Sequence, residues 1–247
     1  MPCLNEADIV AWAIRHLLAQ GVAVHVLDGW STDGSWGIVQ DPRVTWERFP
    51  EAGDAREQVC SAILARIEDL AVASEADWIY YSDADEIRRS SRAGETLAEG
   101  IARIDAQGFN VIDHKVYAFS PTDDGYHGDP EQYLRYCTAW DEMLCRIPQQ
   151  KCWKNVGRVN LTDSGGHVVS FHGKKLAPEK FILKHYPYRT QAQARERIRT
   201  RLERRCQEEH RKGWGVHYDG LSAESNFLRD PTIGTLTFWR DVEQPAP

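Results

Sequence analysis

Apolar residues recur at helical spacing in several segments of the chain. In residues 6–20, Ile9, Ala13 and Leu17 lie four positions apart, which places them on one face of a helix. Gly21 follows directly, and glycine is a common residue just beyond a helix end. The same spacing predicts three further helices, at residues 56–73, 97–104 and 190–211.

Short apolar runs between these helices predict strands. The run VAVHVL at residues 22–27 is followed by Asp28-Gly29, which is turn chemistry. The alternation of such runs with helices is typical of an α/β fold, with a mainly parallel central sheet flanked by helices and a C-terminal helical extension. The other predicted segments are strands at 44–49, 78–81 and 109–119, a loop at 120–130, short strands and loops at 131–180, and an irregular tail after Gly213.

The start of the chain departs from the usual pattern of a doubly wound sheet. Only Met1–Leu4 precede the first predicted helix, so either the first strand is very short or residues that complete it precede Met1. The chain has neither an internal repeat nor a low-complexity linker. We therefore expect a single domain over residues 1–247, a length that suffices for a full α/β core.

Composition narrows the classes of protein that the chain can represent. Hydrophobic residues make up 42% and charged residues 27%, but no apolar run reaches the roughly 18 residues that a membrane span needs. The N-terminus lacks the features of a signal peptide, which predicts a cytoplasmic protein. The net charge of −7 argues against a dedicated nucleic-acid binder, and the Arg-rich segment 195–212 is interpreted as a solvated helix face. Six scattered cysteines show no zinc spacing and are expected to be buried thiols.

Acidic side chains follow three of the predicted strands. They are Asn5-Glu6, Asp28 and the pair Asp83 and Asp85. Because ligands of open α/β sheets bind outside the carboxyl ends of the strands, these groups are expected to meet in one crevice. Two carboxylates at positions i and i+2 can hold Mg²⁺ or Mn²⁺, whose remaining ligands are substrate phosphates. That chemistry suits a diphosphate leaving group, whose developing charge the ion neutralises.

Four segments resemble, in sequence order, the motifs of glycosyltransferase family 2-like enzymes, which have the Rossmann-like GT-A fold. They are MPCLNEADI, LDGWSTDGSW, WIYYSDADE and LKHYPYRTQAQ, and the resemblance runs from about residue 2 to about residue 200. It implies a nucleotide-sugar-binding half at 1–119, an acceptor-side half at 120–189, and a C-terminal helix and tail at 190–247. The implied activity is metal-dependent transfer of a sugar from a nucleoside-diphosphate sugar to an acceptor hydroxyl, with inversion as the expected outcome and retention left open.

The resemblance also assigns roles to particular residues. Asn5 and Glu6 match the loop that lines the nucleotide pocket, and Asp28 matches the residue that contacts the base. Uracil suits Asp28, which makes a UDP-sugar the expected donor, while guanine and thymine stay open. The implied donor-binding residues are Leu4, Asn5, Glu6, Asp28, Arg56, Asp83, Ala84, Lys184 and Arg189, and the implied ligands of Mn²⁺ or Mg²⁺ are Asp83, Asp85 and His185. Asp33 is interpreted separately, as the N-terminal cap of a short helix.

The catalytic base has two candidates. An inverting transferase needs a carboxylate within reach of the acceptor hydroxyl. Asp163 is the first candidate, because a flexible Ser-Gly-Gly follows it and it precedes His185 in the expected order. Glu142 is the second, since the Glu-Asp pair that marks the base in this family is absent. Aromatic residues that could stack on a sugar are Trp140, Trp153, Trp214, Tyr218 and Trp239.

Two other functions fit parts of the pattern. A sugar nucleotidyltransferase would share the fold, but it usually has a Gly-rich basic loop where this chain has Leu4-Asn5-Glu6. A catalytically degenerate nucleotide-sugar-binding module is the other alternative. The acceptor is open among a saccharide, a natural product, a peptide side chain and a modified nucleic-acid base. The Arg-rich segment is the only feature that points towards a polyanion.

Overall fold

The computed structural model describes residues 1–51, 60–139, 147–204, 207–234 and 236–243. The chain forms two compact units: the first contains Met1–Val116 and Arg146–Leu183, and the second contains Tyr117–Cys145 and Lys184–Pro247. Within the described ranges, none of the helices combines the length and the apolar character of a membrane span. The single-domain interpretation stays a prediction, and the two units are described separately below.

Helices and strands alternate along the chain, which confirms the α/β class. The helices are α1 Val10–Ala19, α2 Cys60–Ala73, α3 Leu97–Ala106, α4 Pro130–Tyr133, α5 Gln191–Arg204, α6 Gln207–Lys212 and α7 Trp239–Glu243. The strands are β1 Pro2–Cys3, β2 Val24–Asp28, β3 Val44–Arg48, β4 Trp78–Tyr80, β5 Glu86–Arg89, β6 Val111–Ile112, β7 His114–Ser120, β8 Tyr136–Ala139, β9 Cys152–Lys154, β10 Phe181–His185 and β11 Thr237–Phe238.

The predicted helices and early strands are found close to their expected positions. Helix α3 shows why: Thr96 accepts a hydrogen bond from the Glu99 amide, and the Glu99 side chain accepts one from the Thr96 amide. This capping box fixes the start of the helix from local sequence alone. Several segments differ from the prediction, and neither strand β5 nor helix α4 was expected. The run 109–119 is divided into β6 and β7, and the tail expected to be irregular contains β11 and α7.

The prediction of a mainly parallel sheet is wrong for the strand pairs whose register the structure describes. Among these pairs, β1·β2 and β2·β3 are parallel. The pairs β4·β9, β6·β9, β7·β8 and β8·β11 are antiparallel. Parallel neighbours need a crossover that is usually a helix, but the only helix in the link between β7 and β8, residues 121–135, is the four-residue α4.

Strand β1 is very short in the first unit. Its two residues pair with the end of β2, where Cys3 lies opposite Asp28. The adjacent Leu27 amide donates to the Met1 carbonyl, and the Met1 ammonium donates to the His25 carbonyl. This pairing brings the Asn5 loop beside the carboxyl end of β2, which is where the candidate site lies.

Each unit has its own apolar core. In the first unit, α1, β2, α3 and the start of β10 contribute Val10, Ile14, Val26, Leu97 and Phe181, all fully buried. In the second unit, α5 contributes Ala194 and Ile198, which pack with Phe227, Tyr188, Tyr218 and Leu221. The candidate stacking residue Tyr218 is therefore part of a core contact.

Candidate functional site

Asp28 is the last residue of β2, and its side chain is completely buried. Its Oδ2 atom accepts a hydrogen bond from the Ser31 amide at 2.9 Å and pairs with the Arg48 guanidinium. Its Oδ1 atom is also buried and has no hydrogen-bond partner among the described residues. A buried carboxylate oxygen without a donor costs free energy, so a ligand N–H would be favoured at this position.

Arg48 connects Asp28 with two tryptophans. Its guanidinium carbon lies 4.2 Å from the ring centroid of Trp36 and 5.1 Å from that of Trp30. Both distances are within the range of cation–π contacts. Trp30 is held by a 2.7 Å hydrogen bond to the Pro50 carbonyl, whereas Trp36 is 40% exposed. Arg48 thus joins Asp28 to the exposed Trp36 indole, which offers a surface on which a planar group can stack.

Hydrogen bonds join the loop after β1 to the loop after β2. The Asn5 amide donates to Ser31 Oγ, the Glu6 amide donates to Ser35 Oγ, and the Ala7 amide donates to Asp33, each at 2.9 Å. Asn5 has a φ of 52°, in the left-handed region that asparagine tolerates better than most residues. All three backbone amides are therefore engaged by the protein itself.

Asp33 does not cap a helix, contrary to the prediction. No helix begins there, and the next regular element is β3. Its carboxylate instead accepts hydrogen bonds from the amide and hydroxyl of Ser35 and from the Ala7 amide. Burial raises the pKa of Asp33, but these hydrogen bonds outweigh that effect, so the pKa is lowered overall. Asp33 therefore joins the two loops as an anion.

Asp83 lies in a charged cluster that the sequence did not predict. Lys151 donates to Asp83 Oδ2 at 3.0 Å and to Glu86 Oε1 at 2.9 Å. Tyr81 donates to Asp83 Oδ1 at 3.1 Å, and the buried Arg88 pairs with Glu86. The Lys151 side chain is only 3% exposed. Burial lowers its pKa, but the charges of Asp83 and Glu86 outweigh burial and raise it, which keeps the lysine protonated.

Carboxylates also surround β1. Burial raises the pKa of the Cys3 thiol, and the negative charges of Glu6, Asp28 and Asp33 raise it further. Burial lowers the pKa of the Met1 ammonium to about 6, although the charge of Asp83 acts in the opposite direction. The charges of Glu6, Asp28 and Asp33 therefore act on Cys3, and that of Asp83 acts on the Met1 ammonium.

The predicted metal ligands are divided between the two units. Asp83 and Asp85 belong to the first unit, with Asp83 one-third exposed and Asp85 2% exposed, while His185 belongs to the second. Among the residues that the structure describes, no group of three or more His, Cys, Asp and Glu side chains is placed to hold a metal ion. An ion that takes its other ligands from substrate phosphates needs only one or two carboxylates from the protein.

The two cations predicted to neutralise the diphosphate are buried in the second unit. Lys184 is 2% exposed and forms a 2.7 Å ion pair with Glu131. Arg189 is fully buried and donates to the Tyr186 carbonyl at 3.1 Å. Both side chains are thus already engaged with groups of their own unit. Arg56 and the second base candidate Glu142, like Trp140, lie outside the described residues.

Asp163 lies on an exposed 3-10 turn, Thr162–Ser164. Its carboxylate accepts a 3.1 Å hydrogen bond from the Asn160 side chain. The same loop continues to Gly166, where an added Cβ atom would lie 2.8 Å from the ring of Tyr81. Because Tyr81 donates to Asp83, the loop that carries the candidate base packs beside the charged cluster.

Sequence reasoning missed Arg48, Trp30, Trp36 and Lys151. Trp30 and Trp36 stand in the quoted segment LDGWSTDGSW, so their presence beside Asp28 was available from the sequence. Lys151 begins the run KCWK, and the neighbouring Cys152 and Trp153 are both fully buried. The position of Lys151 directly before two apolar core residues was the sequence signal that its charge could be buried.

His114 is a buried neutral histidine behind the cluster. Its Nδ1 atom donates to the Gln149 carbonyl at 2.7 Å, so Nε2 accepts from Tyr80 and faces Arg88 at 3.5 Å. Burial, followed by the positive charge of Arg88, holds its pKa well below the usual 6.5. The protonated form is therefore disfavoured in the folded protein.

We expect the free energy of unfolding to decrease as the pH falls below about 6.5. In that range the unfolded chain binds a proton at His114 and the folded chain does not, so the slope reaches about 1.4 kcal/mol per pH unit. Urea unfolding between pH 7.5 and 5.5 measures it. His114→Gln should have a shallower slope than the wild type, because contributions common to both proteins cancel. Parallel slopes would contradict the assignment.

A comparison of the chain with protein-family models and with curated proteins found no match.

Proposed function

We propose that the chain is a glycosyltransferase that transfers a sugar from a nucleoside-diphosphate sugar to an acceptor hydroxyl. The observation that carries this proposal is the buried Asp28 carboxylate, whose Oδ1 atom has no donor among the described residues. Uracil, guanine and thymine each present a ring N–H that could donate to it. We infer a uracil nucleotide as the first donor to examine. The exposed Trp36 ring, which contacts the Arg48 partner of Asp28, supports the proposal, since it offers a stacking surface for the base.

Asp83 and Asp85 are the carboxylates that would hold Mn²⁺ or Mg²⁺ in this enzyme, and His185 is kept as a third proposed ligand. Such an ion needs only one or two carboxylates when phosphate oxygens complete its shell. When bound, it supplies positive charge to the departing diphosphate. Lys151 would orient Asp83 through its 3.0 Å contact and add a fixed positive charge to the site.

Asp163 is the proposed base of the reaction. Its carboxylate would take the proton of the acceptor hydroxyl as that oxygen attacks the anomeric carbon. The bond between the anomeric carbon and the diphosphate breaks in the same step, so the nucleoside diphosphate leaves and the configuration is inverted. The position of the Asp163 loop beside Tyr81 supports this choice over an unrelated surface carboxylate.

The observed hydrogen bonds and ion pairs argue against a nucleotidyltransferase and leave a non-catalytic binding module as the main alternative. A nucleotidyltransferase would use free backbone amides after β1 to bind phosphates, but those of Asn5, Glu6 and Ala7 are engaged by other side chains. A nucleotide-sugar-binding module without catalysis is favoured by one observation, because Lys151 already neutralises Asp83. Product formation separates this module from the transferase.

We expect Asp28→Asn to weaken donor binding at least tenfold, because the asparagine amide cannot replace both the charge and the free acceptor of the carboxylate. Thermal unfolding with and without each nucleoside-diphosphate sugar and Mn²⁺ measures this, since each protein serves as its own unliganded reference. A donor at 100 times its dissociation constant adds about 2.7 kcal/mol of stability. The matched control is Asp69→Asn, which changes an exposed carboxylate of the same unit that pairs with Arg158.

The outcomes separate the candidate functions. Failure of every nucleotide sugar to stabilise the wild-type protein would contradict the proposal as a whole. Equal stabilisation of Asp28→Asn and the wild type would contradict the role of Asp28. Binding of a donor without release of nucleoside diphosphate, across saccharide, peptide, natural-product and nucleic-acid acceptors, would favour the binding module.

A further inference from the structure

The second unit contains a cavity of about 240 Å³, whose lining includes Lys184, predicted to bind the donor, and Trp239, predicted as a stacking residue. Its volume is below the roughly 300–1,000 Å³ of sites that hold drug-sized ligands, so it accommodates a single small group. Four aromatic side chains line it: Phe119 and Tyr186, which are buried, and Phe238 and Trp239, which are half-buried. Aromatic faces of this kind pack well against the C–H face of a sugar ring.

A buried ion pair forms one wall of the cavity. Lys184 is 2% exposed, lies 2.7 Å from the Glu131 carboxylate and 4.3 Å from the ring centroid of Trp239. The pair is neutral overall, and its polar atoms are positioned by the protein. It therefore supplies directional hydrogen-bonding capacity without adding net charge to the cavity.

Two further cations line the cavity and carry no compensating charge. Arg135 and Arg240 are both exposed, and neither lies within ion-pair distance of a carboxylate in the part of the chain that the structure describes. Arg240 lies 5.4 Å from the ring centroid of Phe238, and Arg135 donates to the Gln132 carbonyl. The two guanidinium groups leave the cavity with a net positive charge, and guanidinium groups suit carboxylates and phosphates.

We propose that this cavity binds one anionic monosaccharide unit, a hexuronate or a sugar phosphate, packed against the half-buried rings of Phe238 and Trp239 with its anion at Arg135 and Arg240. The role of that unit rests on the proposed transferase function: Asp28 and Asp83 of the first unit bind the donor, Lys184 is engaged with Glu131 and is assigned to this cavity, and the anionic sugar is assigned to the acceptor. The acceptor class then becomes an acidic saccharide rather than a peptide or a nucleic-acid base.

Isothermal titration of the full chain tests the proposal with three probes: a uronic-acid oligosaccharide, a hexose phosphate and the corresponding neutral oligosaccharide. The double variant Arg135→Gln/Arg240→Gln removes both cations from the cavity. The control Arg195→Gln/Arg229→Gln removes two exposed cations of the same unit that do not line it. We expect the cavity variant to lose at least tenfold in affinity for an anionic probe, with an unchanged melting temperature, and the control to bind as the wild type does.

Binding of either anionic probe with this pattern supports the proposal, and the stronger of the two identifies the anion. An equal loss in the control variant, or equal binding of the neutral oligosaccharide, would overturn it. Donor binding that depends on Asp28, with no saccharide bound, would overturn the cavity proposal and leave the transferase standing. Saccharide binding without any donor binding would leave the cavity site standing and remove the transferase function.

Discussion

Trp153→Ala is expected to lower the free energy of unfolding by about 3–5 kcal/mol, the usual cost of truncating a buried large aromatic side chain. Trp153 is fully buried and lies in the central strand of the sheet β4-β9-β6. It faces Ile79 on one neighbouring strand and Val111 on the other. Its removal leaves a cavity at the point where three strands meet, which the short strands β4 and β6 cannot close without losing their pairing.

Trp36→Ala is the matched comparison. We expect it to weaken nucleotide binding while changing the free energy of unfolding only slightly. Trp36 is 40% exposed and contacts Arg48 over its ring, so we expect less than about 1 kcal/mol of destabilisation but clearly weaker nucleotide binding. Urea denaturation and a nucleotide titration on both variants provide the measurement. A large loss of stability in Trp36→Ala, with binding intact, would show that this ring is a core residue and would remove the stacking argument.

Local sequence determined the elements that could be predicted. Helix α1 has its buried residues Val10, Ile14, Leu17 and Leu18 on one face, and that periodicity is visible without knowing any neighbour. Strand β2 is a short apolar run that ends at Asp28, as expected. These elements depend on residues within a few positions of one another, so the sequence alone is sufficient to place them.

Strand pairing could not be predicted in the same way. The orientation of β4 is set by β9, which follows it by more than 70 positions, and both are only three residues long. Such short strands carry no periodic signal that distinguishes parallel from antiparallel partners. The edge strand β11 is shorter still, and it pairs with β8 from within a segment that has no regular pattern.

In the candidate site, too, local features could be predicted from the sequence and long-range contacts could not. Asp28 and the Asn5 loop were predicted because turn residues after apolar runs mark strand ends. The partners that hold them were not, since Arg48 follows Asp28 by 20 positions and Lys151 follows Asp83 by 68. Burial of a charged residue is a property of the packed chain, and the sequence records only that such a residue is present.

Lys151→Met is expected to lower the free energy of unfolding by about 3 kcal/mol. Removing one member of a buried ion pair leaves the remaining charge without compensation, which typically costs about 3–5 kcal/mol. We expect the lower end of this range of free energies, because Arg88 still pairs with Glu86 and because Asp83 is one-third exposed and partly solvated. Urea denaturation at pH 7 measures the loss.

The exposed pair between Arg158 and Asp69 provides the control for this change. Its side chains are 70% and 54% exposed, so Arg158→Met should cost less than about 1 kcal/mol. A loss in Lys151→Met no larger than that of the control would mean that Asp83 and Glu86 gain little from the lysine in the folded protein. Asp83 would then be free to act as a metal ligand without competition, which strengthens the metal-dependent mechanism. The expected large loss instead makes Lys151 a permanent part of the site, so that any ion held at Asp83 must share the carboxylate with it.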